Sequence, residues 1–551
     1  MKKDLIFLLI LTLPAFALLF QKGYFTMHDD LQSMRQYQLD KCLADGQIPC
    51  RWVSDMGYGY GYPLFNYYPP LPYYLGQVFR TLGGLAYIDV VKVVGVLGFV
   101  TTAVFMYLLS RQFWGRLGGL VSAAFYTYAP YHSVDFYVRG AMNEFWAMAF
   151  YPAIFWTTYR LIADRHPRWI PWVSLSVAAL MLSHNPMLMI FAPVYLVWIF
   201  FWWWRFHSLQ SFKHLAVAAL WAAGFAAFFT LPVLFEKKFA HLETLTIGYF
   251  NYLAHFLDLN QIFLRINWGY GESVYGPGDT MSFALGYLHW LVPAVILLLT
   301  PFVKKLRNTY WLVLLAIGYT LFALFMSHFK ATPIWQAIQP FEFLQFPWRF
   351  LTLAVFSASF VSGAVVLVIS RKFIPLLFVL LLLLNANYFR PRAWLPDTTD
   401  AKKFSGHPWQ LLVTSGIFDY LPIWAPMPPA DPRGDEINIL SGRGIYSPLT
   451  FKSNLQQYLV TMFIPGTIEL QTYYFPGWRY WLDGIEVKNY KLDPLLGRPQ
   501  IAISSGRHEI LARFTNTPIR TIGNTLSLIA WTTLIGIMAS WWKGRHRENG
   551  K

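Results

Sequence analysis

The chain has 551 residues, 56% hydrophobic and only 13% charged, against about 25% charged in an average soluble domain. That composition excludes a soluble multidomain enzyme and describes a polytopic α-helical membrane protein. The net charge of +16 does not mark nucleic-acid binding, because the basic residues form no single stripe; they recur at alternate span boundaries, the positive-inside pattern of a multipass chain.

Those boundaries are Lys2/Lys3, Arg111/Arg116, Arg160/Arg165/Arg168, Arg205/Lys213, Lys304/Lys305/Arg307, Arg371/Lys372 and the tail Lys543/Arg545/Arg547/Lys551. Apolar stretches of roughly 17–24 residues lie between them, as a bilayer core of about 30 Å requires, and about twelve spans are predicted. Both chain ends then face the cytoplasm, and the expected location is the cell's inner (cytoplasmic) membrane. The opening run Leu5 to Phe20 reads as a retained first span, since no small-x-small cleavage site precedes Gln21. Aromatic runs such as Trp202-Trp203-Trp204 read as interfacial belts.

Residues 21–70 form a first outer loop longer than a connector requires. It opens with His28-Asp29-Asp30, two adjacent carboxylates at a membrane edge, where acidic groups are costly unless used. Asp29 with Gln32 has the spacing of a capping box, so one of the pair can start a surface helix along Leu31, Met34, Gln38 and Cys42 while the other acts. Cys42 and Cys50, the only cysteines, share this loop in an oxidising compartment; a disulfide and two unpaired thiols are the alternatives. Farther on, alternating Gly57 to Tyr62, with Tyr60 and Tyr62, suits stacking on a sugar ring or packing at headgroup level.

The second outer loop, residues 131–144, holds Asp135, Arg139, Asn143 and Glu144. Asp135 and Arg139 at i, i+4 fit a salt bridge; Glu144 at the mouth of a span is expected to line a cavity or meet an opposite charge. Spans five and six meet at Ser183-His184-Asn185-Pro186, and a further long loop runs from Phe235 to Met281. His184, Lys237, Arg139 and Arg349 are candidate substrate or phosphate ligands, although Arg349 at a span mouth can also snorkel. The histidines, including His184, show no zinc-site spacing; a divalent cation, Mg or Mn, held by carboxylates such as Asp30 and Glu144 with a lipid phosphate is the metal site considered. No P-loop, dinucleotide fingerprint or G-x-S-x-G is present.

The chain divides into a multispan module (1–388) with catalytic outer loops 21–70 and 131–144, a β-rich extracytoplasmic domain (389–518), and a final span with a basic tail (519–551). In the β-rich domain, Trp478 to Leu482, Asp483-Gly484 and Ile485 to Val487 predict a hairpin with a type I′ turn. Gln500 to Ser504 and Glu509 to Phe514 predict two more strands; the proline-rich first half, around Pro422, Pro426, Pro428 and Pro429, reads as irregular.

An acidic pair after span one, a second acidic residue in the next outer loop, many spans and a soluble C-terminal region resemble the GT-C superfamily of membrane glycosyltransferases. Tyr473-Tyr474-Phe475-Pro476-Gly477-Trp478, Leu482-Asp483-Gly484 and Gly506-Arg507-His508-Glu509 are similar to the C-terminal sheet of YfhO-type bacterial membrane proteins. Tyr137 to Glu144, Ser183-His184-Asn185 and Gln345 to Arg349 look like segments of related multispan proteins. The resemblance implies inverting transfer of a sugar from a polyprenyl-phosphate donor to an envelope glycan, lipid or protein on the outer face. Asp29 or Asp30 would be the general base, with Asp135 or Glu144 orienting the acceptor or a metal. A flippase for lipid-linked glycans, or a non-catalytic envelope assembly protein, is the alternative from outside the enzyme class.

Overall fold

The computed structural model describes residues 2–265, 268–274, 278–416 and 419–549. Met1 and Lys551 lie outside the described residues, as do short parts of the Phe235 to Met281 loop. Seven helices among them are long and apolar enough to cross a membrane: Tyr87–Thr127, Asn185–Phe206, Leu209–Phe239, Tyr310–Ser327, Pro347–Leu367, Arg371–Tyr388 and Pro518–Trp542. The chain is a multipass membrane protein.

Seven differs from twelve for readable reasons. Tyr87–Thr127 contains two helices that meet at Gly115, where φ is +70°. A Cβ on Gly119 would lie 2.9 Å from the Tyr107 ring, so the second helix runs back along the first. Met142–Asp164 has 23 residues, but its Trp, Tyr and Pro dilute its hydropathy. Ile170–Ser183 and Tyr287–Leu299 have only 14 and 13 residues, and Lys2–Thr12 gives way to 3₁₀ turns at Pro14.

The chain forms two compact units. The first comprises Met1–Gln32, Ile88–Ala222 and Leu245–Thr398. Its centre is Leu351–Ser362, buried at every residue, so this helix needs no polar face. Glycines admit aromatic rings between the helices: a Cβ on Gly95 or Gly98 would overlap Phe136 or Phe145, and Phe99 meets Phe145 edge-on with centroids 4.7 Å apart. Tyr24–Phe25 pairs antiparallel with Trp394–Leu395. Buried Lys92 donates to the carbonyls of Gln21 and Gly23, each at 2.9 Å, and pairs with Asp89; its charge holds chain together at the end of a span.

The second unit comprises Ser33–Tyr87, Ala223–Thr244 and Thr399–Lys551. Its antiparallel sheet has seven strands: β1 (Ile437–Lys452), β2 (Leu455–Leu470), β3 (Trp478–Leu482), β4 (Ile485–Glu486), β5 (Lys491–Leu492), β6 (Pro499–Ile503) and β7 (Gly506–Phe514). The order is β4-β3-β7-β2-β6-β5, and β1 pairs with β2. The predicted β3–β4 hairpin is present, with Asp483 at φ +52° and Gly484 at +80°. The stretch from Pro422 to Pro429 holds no helix or strand, as read, but the two longest strands, β1 and β2, which follow it, are not among those predicted. β2 alternates as a strand should, burying Gln456, Tyr458, Val460 and Met462. Pro448, two glycines and repeated register shifts in the mostly exposed β1 mask its pairing.

Tyr458, Tyr473, Phe475, Trp478 and Ile510 form the core of this unit together with Trp52, Tyr60 and Tyr67 of the first long loop. Beside them, Glu236 is fully buried and accepts from Asn66 Nδ2 at 2.9 Å, Arg520 Nε at 2.9 Å and Thr517 Oγ1 at 2.6 Å. Cys42 and Cys50 form a disulfide, the first of the two sequence alternatives. Closing a loop with a sequence separation of 8 stabilises a fold by about 2–3 kcal/mol on the chain-entropy account. C42S/C50S is therefore expected to lower the stability of this unit by that order in denaturant unfolding. The same loss should follow reduction of the wild-type protein and be absent when the variant is treated with reductant.

Candidate functional site

The second loop is a buried element rather than a solvated connector. Pro130–Ser133 is one helical turn, and Val134–Arg139 continues it as a π-helical turn buried up to Val138. Such turns widen a helix where function or packing demands it. The turn ends at Gly140, with φ +66°, where a Cβ would overlap Met27 Sδ.

A helix terminus leaves carbonyls without intrahelical donors, and in a buried setting each needs a partner. The first loop supplies them. His28 N–H donates to the Val138 carbonyl at 3.0 Å and Asp29 N–H to the Arg139 carbonyl at 2.9 Å. Gln32 Nε2 donates to the Gly140 carbonyl at 2.7 Å and to Asp29 Oδ2 at 3.0 Å. The acidic pair is thus fixed against the turn by backbone bonds, with the side chains of Asp29 and Asp30 partly exposed.

Behind the pair lies a network of four charged groups. Glu144 accepts from Tyr131 Oη at 2.8 Å through Oε1, and through Oε2 it meets Arg349 Nε and Arg139 Nη1, each at 3.0 Å. Arg139 also pairs with Asp135. Arg349 Nη1 donates to the Leu344 carbonyl at 2.7 Å and to Gln345 Oε1 at 3.0 Å. The guanidinium of Arg139 lies 4.4 Å over the Trp348 ring, which keeps a desolvated cation in a favourable field. Asp135 Oδ2 is buried with no hydrogen-bond partner among the described residues. Burial, and next the Glu144 carboxylate, raise the Asp135 pKa well above the usual carboxylate range. The network sets two guanidiniums against the carboxyl groups of Glu144 and Asp135.

Of the residues singled out from sequence, the first unit brings together Asp29, Asp30, Asp135, Arg139, Glu144 and Arg349. His184 belongs to the same unit as an N-cap: its Nδ1 accepts from Met187 N–H at 3.2 Å. Lys237, Tyr60 and Tyr62 belong to the second unit. Lys237 is exposed in a 3₁₀ turn. Tyr60 packs against Tyr473 with centroids 5.2 Å apart, and Tyr62 is buried; the Gly/Tyr run is folded into a core. Tyr131 and Gln32, the two neutral groups that hold the acids in place, were not distinguished as site residues by their types, and only the capping spacing pointed to Gln32.

The donor set does not suit a divalent cation shared by Asp30 and Glu144. Both oxygens of Glu144 are engaged, Oε1 by Tyr131 and Oε2 by Arg139 and Arg349. Among the described residues, no group of three His, Cys, Asp or Glu is arranged to hold a metal ion.

No family model matches the sequence, so the YfhO-type resemblance rests on its short motifs alone. No curated protein matches it either. Among solved structures, the chain is similar over 72% of its length to the arabinofuranosyltransferase AftD from Mycobacteria, at 12% identity and a TM-score of 0.44, covering 27% of that chain. It is similar over 70% to the oligosaccharyltransferase AglB from Archaeoglobus fulgidus, in complex with an inhibitory peptide and a dolichol-phosphate, at 11% identity and 0.41, covering 54% of that chain. It is similar over 67% to ArnT from Cupriavidus metallidurans bound to undecaprenyl phosphate, at 11% identity and 0.36, covering 60% of that chain. The chain therefore spans about a quarter of the first of these and somewhat over half of the other two.

Replacing Glu144 by Gln leaves two buried guanidiniums facing each other, and breaking a buried pair in this way costs about 3–5 kcal/mol. Thermal unfolding of the detergent-solubilised protein should show E144Q far less stable than wild type. D135N, which mimics the protonated acid, should cost less than half as much. The raised Asp135 pKa means that the folded state binds the proton more tightly than the unfolded one, so its contribution to stability declines as pH rises above the ordinary carboxylate range. That decline should be smaller in D135N.

Proposed function

We propose that this protein is a membrane glycosyltransferase that moves a sugar from a polyprenyl-phosphate donor to an envelope glycan, lipid or protein, with inversion at the anomeric carbon. The observation that carries the reading is the backbone bond from Asp29 N–H to the Arg139 carbonyl, 2.9 Å long. It ties two partly exposed carboxylates to the turn that bears an arginine network. A base and an electrostatic stabiliser for a departing phosphate are the two groups such a transfer needs.

One carboxylate, Asp29 or Asp30, takes the proton of the acceptor hydroxyl as its oxygen attacks the anomeric carbon. The bond to the lipid phosphate breaks, and the negative charge that develops on the leaving oxygen falls in the field of Arg139 and Arg349. Both guanidiniums are already held by Glu144 and by carbonyl or aromatic partners, so they act without reorganising. Gln32 keeps the Asp29 carboxylate at a fixed angle to the turn.

The finer topology belongs to the same proposal: about twelve spans, both ends in the cytoplasm, and the two loops facing outward from the inner membrane. The basic residues at alternate boundaries support it. Single cysteines introduced beside Asp29 and beside Arg371, in a background lacking Cys42 and Cys50, should react with an impermeant reagent from opposite sides; labelling of both from one side would overturn the orientation.

D29N and D30N, assayed one at a time in membranes given a labelled polyprenyl-phosphate sugar, test the chemistry. One of them should lose transfer by about 10²–10⁴-fold, the contribution of a general base. Full transfer by both variants would sink the reading.

A further inference from the structure

The exposed end of the sheet in the second unit carries a constellation that the transfer does not use. Asp483 heads the β3–β4 turn, and Ser504-Ser505 joins β6 to β7. In the β3–β7 ladder Leu482 pairs with Ile510, so the turn after β3 comes level with the start of β7. Asp483 Oδ1 accepts from Glu509 N–H at 2.8 Å, and Asp483 N–H donates to the Glu509 carbonyl at 2.9 Å. These two backbone bonds leave Oδ2 aimed at His508, whose Nδ1 lies 2.7 Å away. The opposite ring nitrogen, Nε2, lies 3.2 Å from Ser504 Oγ.

The connectivity is that of nucleophile, base and orienting acid. An aspartate on Nδ1 selects the imidazole tautomer whose Nε2 is free to accept, and Nε2 faces a hydroxyl. The set is recognised by geometry and roles, so the absence of a G-x-S-x-G motif is no objection. Hydrogen bonds from His508 and then from Glu509 N–H hold the Asp483 carboxyl below its usual range, keeping it anionic. Ser504 is exposed while the His508 side chain is only 13% exposed, which leaves the nucleophile open and shelters the base. Gly506 keeps the approach clear: even a Cβ there would stand 3.4 Å from Nε2. Ser504 and Ser505 lie outside both strand ladders, and the N–H that follows a nucleophile is the usual first donor to an oxyanion.

We propose that Ser504, His508 and Asp483 form a second, hydrolytic site, independent of the sugar transfer, that takes acyl esters presented at the exposed edge of the sheet. Ser504 Oγ attacks the carbonyl carbon as its proton passes to His508 Nε2. The ester C–O bond breaks, and the departing alkoxide takes that proton to leave as the alcohol. Water then attacks the acyl-serine, gives a proton to Nε2 and releases the carboxylic acid as Ser504 Oγ recovers the proton. Asp483 orients the ring and balances the imidazolium throughout.

A fluorophosphonate probe on the full chain in detergent tests the site, read by mass spectrometry of the peptide containing Ser504. The wild type should be modified at Ser504, and modification should vanish when the protein is denatured before the probe is added. H508N should lower the labelling rate at least 100-fold and D483N at least 10-fold, whereas S505A, which keeps its backbone N–H, should label as wild type. Turnover of p-nitrophenyl acetate should fall in S504A, H508N and D483N while lipid-linked sugar transfer stays unchanged. An unlabelled Ser504 in the native protein, or labelling that persists after denaturation, overturns the proposal without any variant. Labelling indifferent to both H508N and D483N overturns it as well.

Discussion

The carbonyls at the end of the buried turn Val134–Arg139 need donors where water does not reach, and the arrangement of the first unit follows from how they find them. His28, Asp29 and Gln32 provide those donors in succession. A segment that satisfies three consecutive carbonyls has lost its freedom of register, because a one-residue slip would orphan at least one buried acceptor. The acidic pair therefore sits where it does for backbone reasons. Capping and chemistry do not compete for it: the main chain of Asp29 does the holding, while the carboxylates of Asp29 and Asp30 remain partly in solvent.

Features governed by local chemistry were legible in the sequence. Composition gave the membrane class, Asp483-Gly484 gave the hairpin, and spacing gave the Asp135–Arg139 pair. The disulfide was one of two stated alternatives. What escaped depends on long-range partners. Glu144 and Arg349 are 205 residues apart, and no local pattern tells a snorkelling arginine from one that closes a buried network. The alternation of Gly57 to Tyr62 signals turns with aromatic faces, but only Tyr473, supplied by another part of the chain, makes Tyr60 a core residue. β1 escaped because Pro448 and two glycines imitate a loop, although its partner β2 alternates from Leu455 to Met462.

Buried arginines explain why positive charge is a poor guide to ligand sites in this protein. In the first unit, Arg349 has a carboxylate in Glu144, a carbonyl in Leu344 and an aromatic face in Phe346. In the second, Arg520 has Glu236 and the rings of Phe475 and Phe514, and Arg51 donates to the Phe228 carbonyl and to Asn524 Oδ1 at 2.8 Å each. A guanidinium suits these places because its planar fork serves several acceptors at once while its face lies on an aromatic ring. Each such cation is engaged before any substrate arrives. A phosphate would meet their field rather than their hydrogen bonds, and the field favours it only where cations outnumber carboxylates.

That condition would be met if Asp135 carried a proton, the direction in which burial pushes it. Charge neutrality in the network would make the turn a structural clamp and nothing more; one protonated acid converts the same clamp into a positive site while leaving every bond to Glu144 in place. The hydrogen-bond pattern agrees, since Asp135 offers one oxygen to Arg139 and leaves the other, Oδ2, buried with no partner among the described residues. An ionised carboxylate in that position would leave a charged oxygen unsatisfied, a cost of several kcal/mol at the order of magnitude expected for buried ions. The protonated form removes that charge without moving an atom of the main chain. The clamp that fixes the acidic pair and the electrostatics that would make the pair useful are thus two consequences of one buried turn.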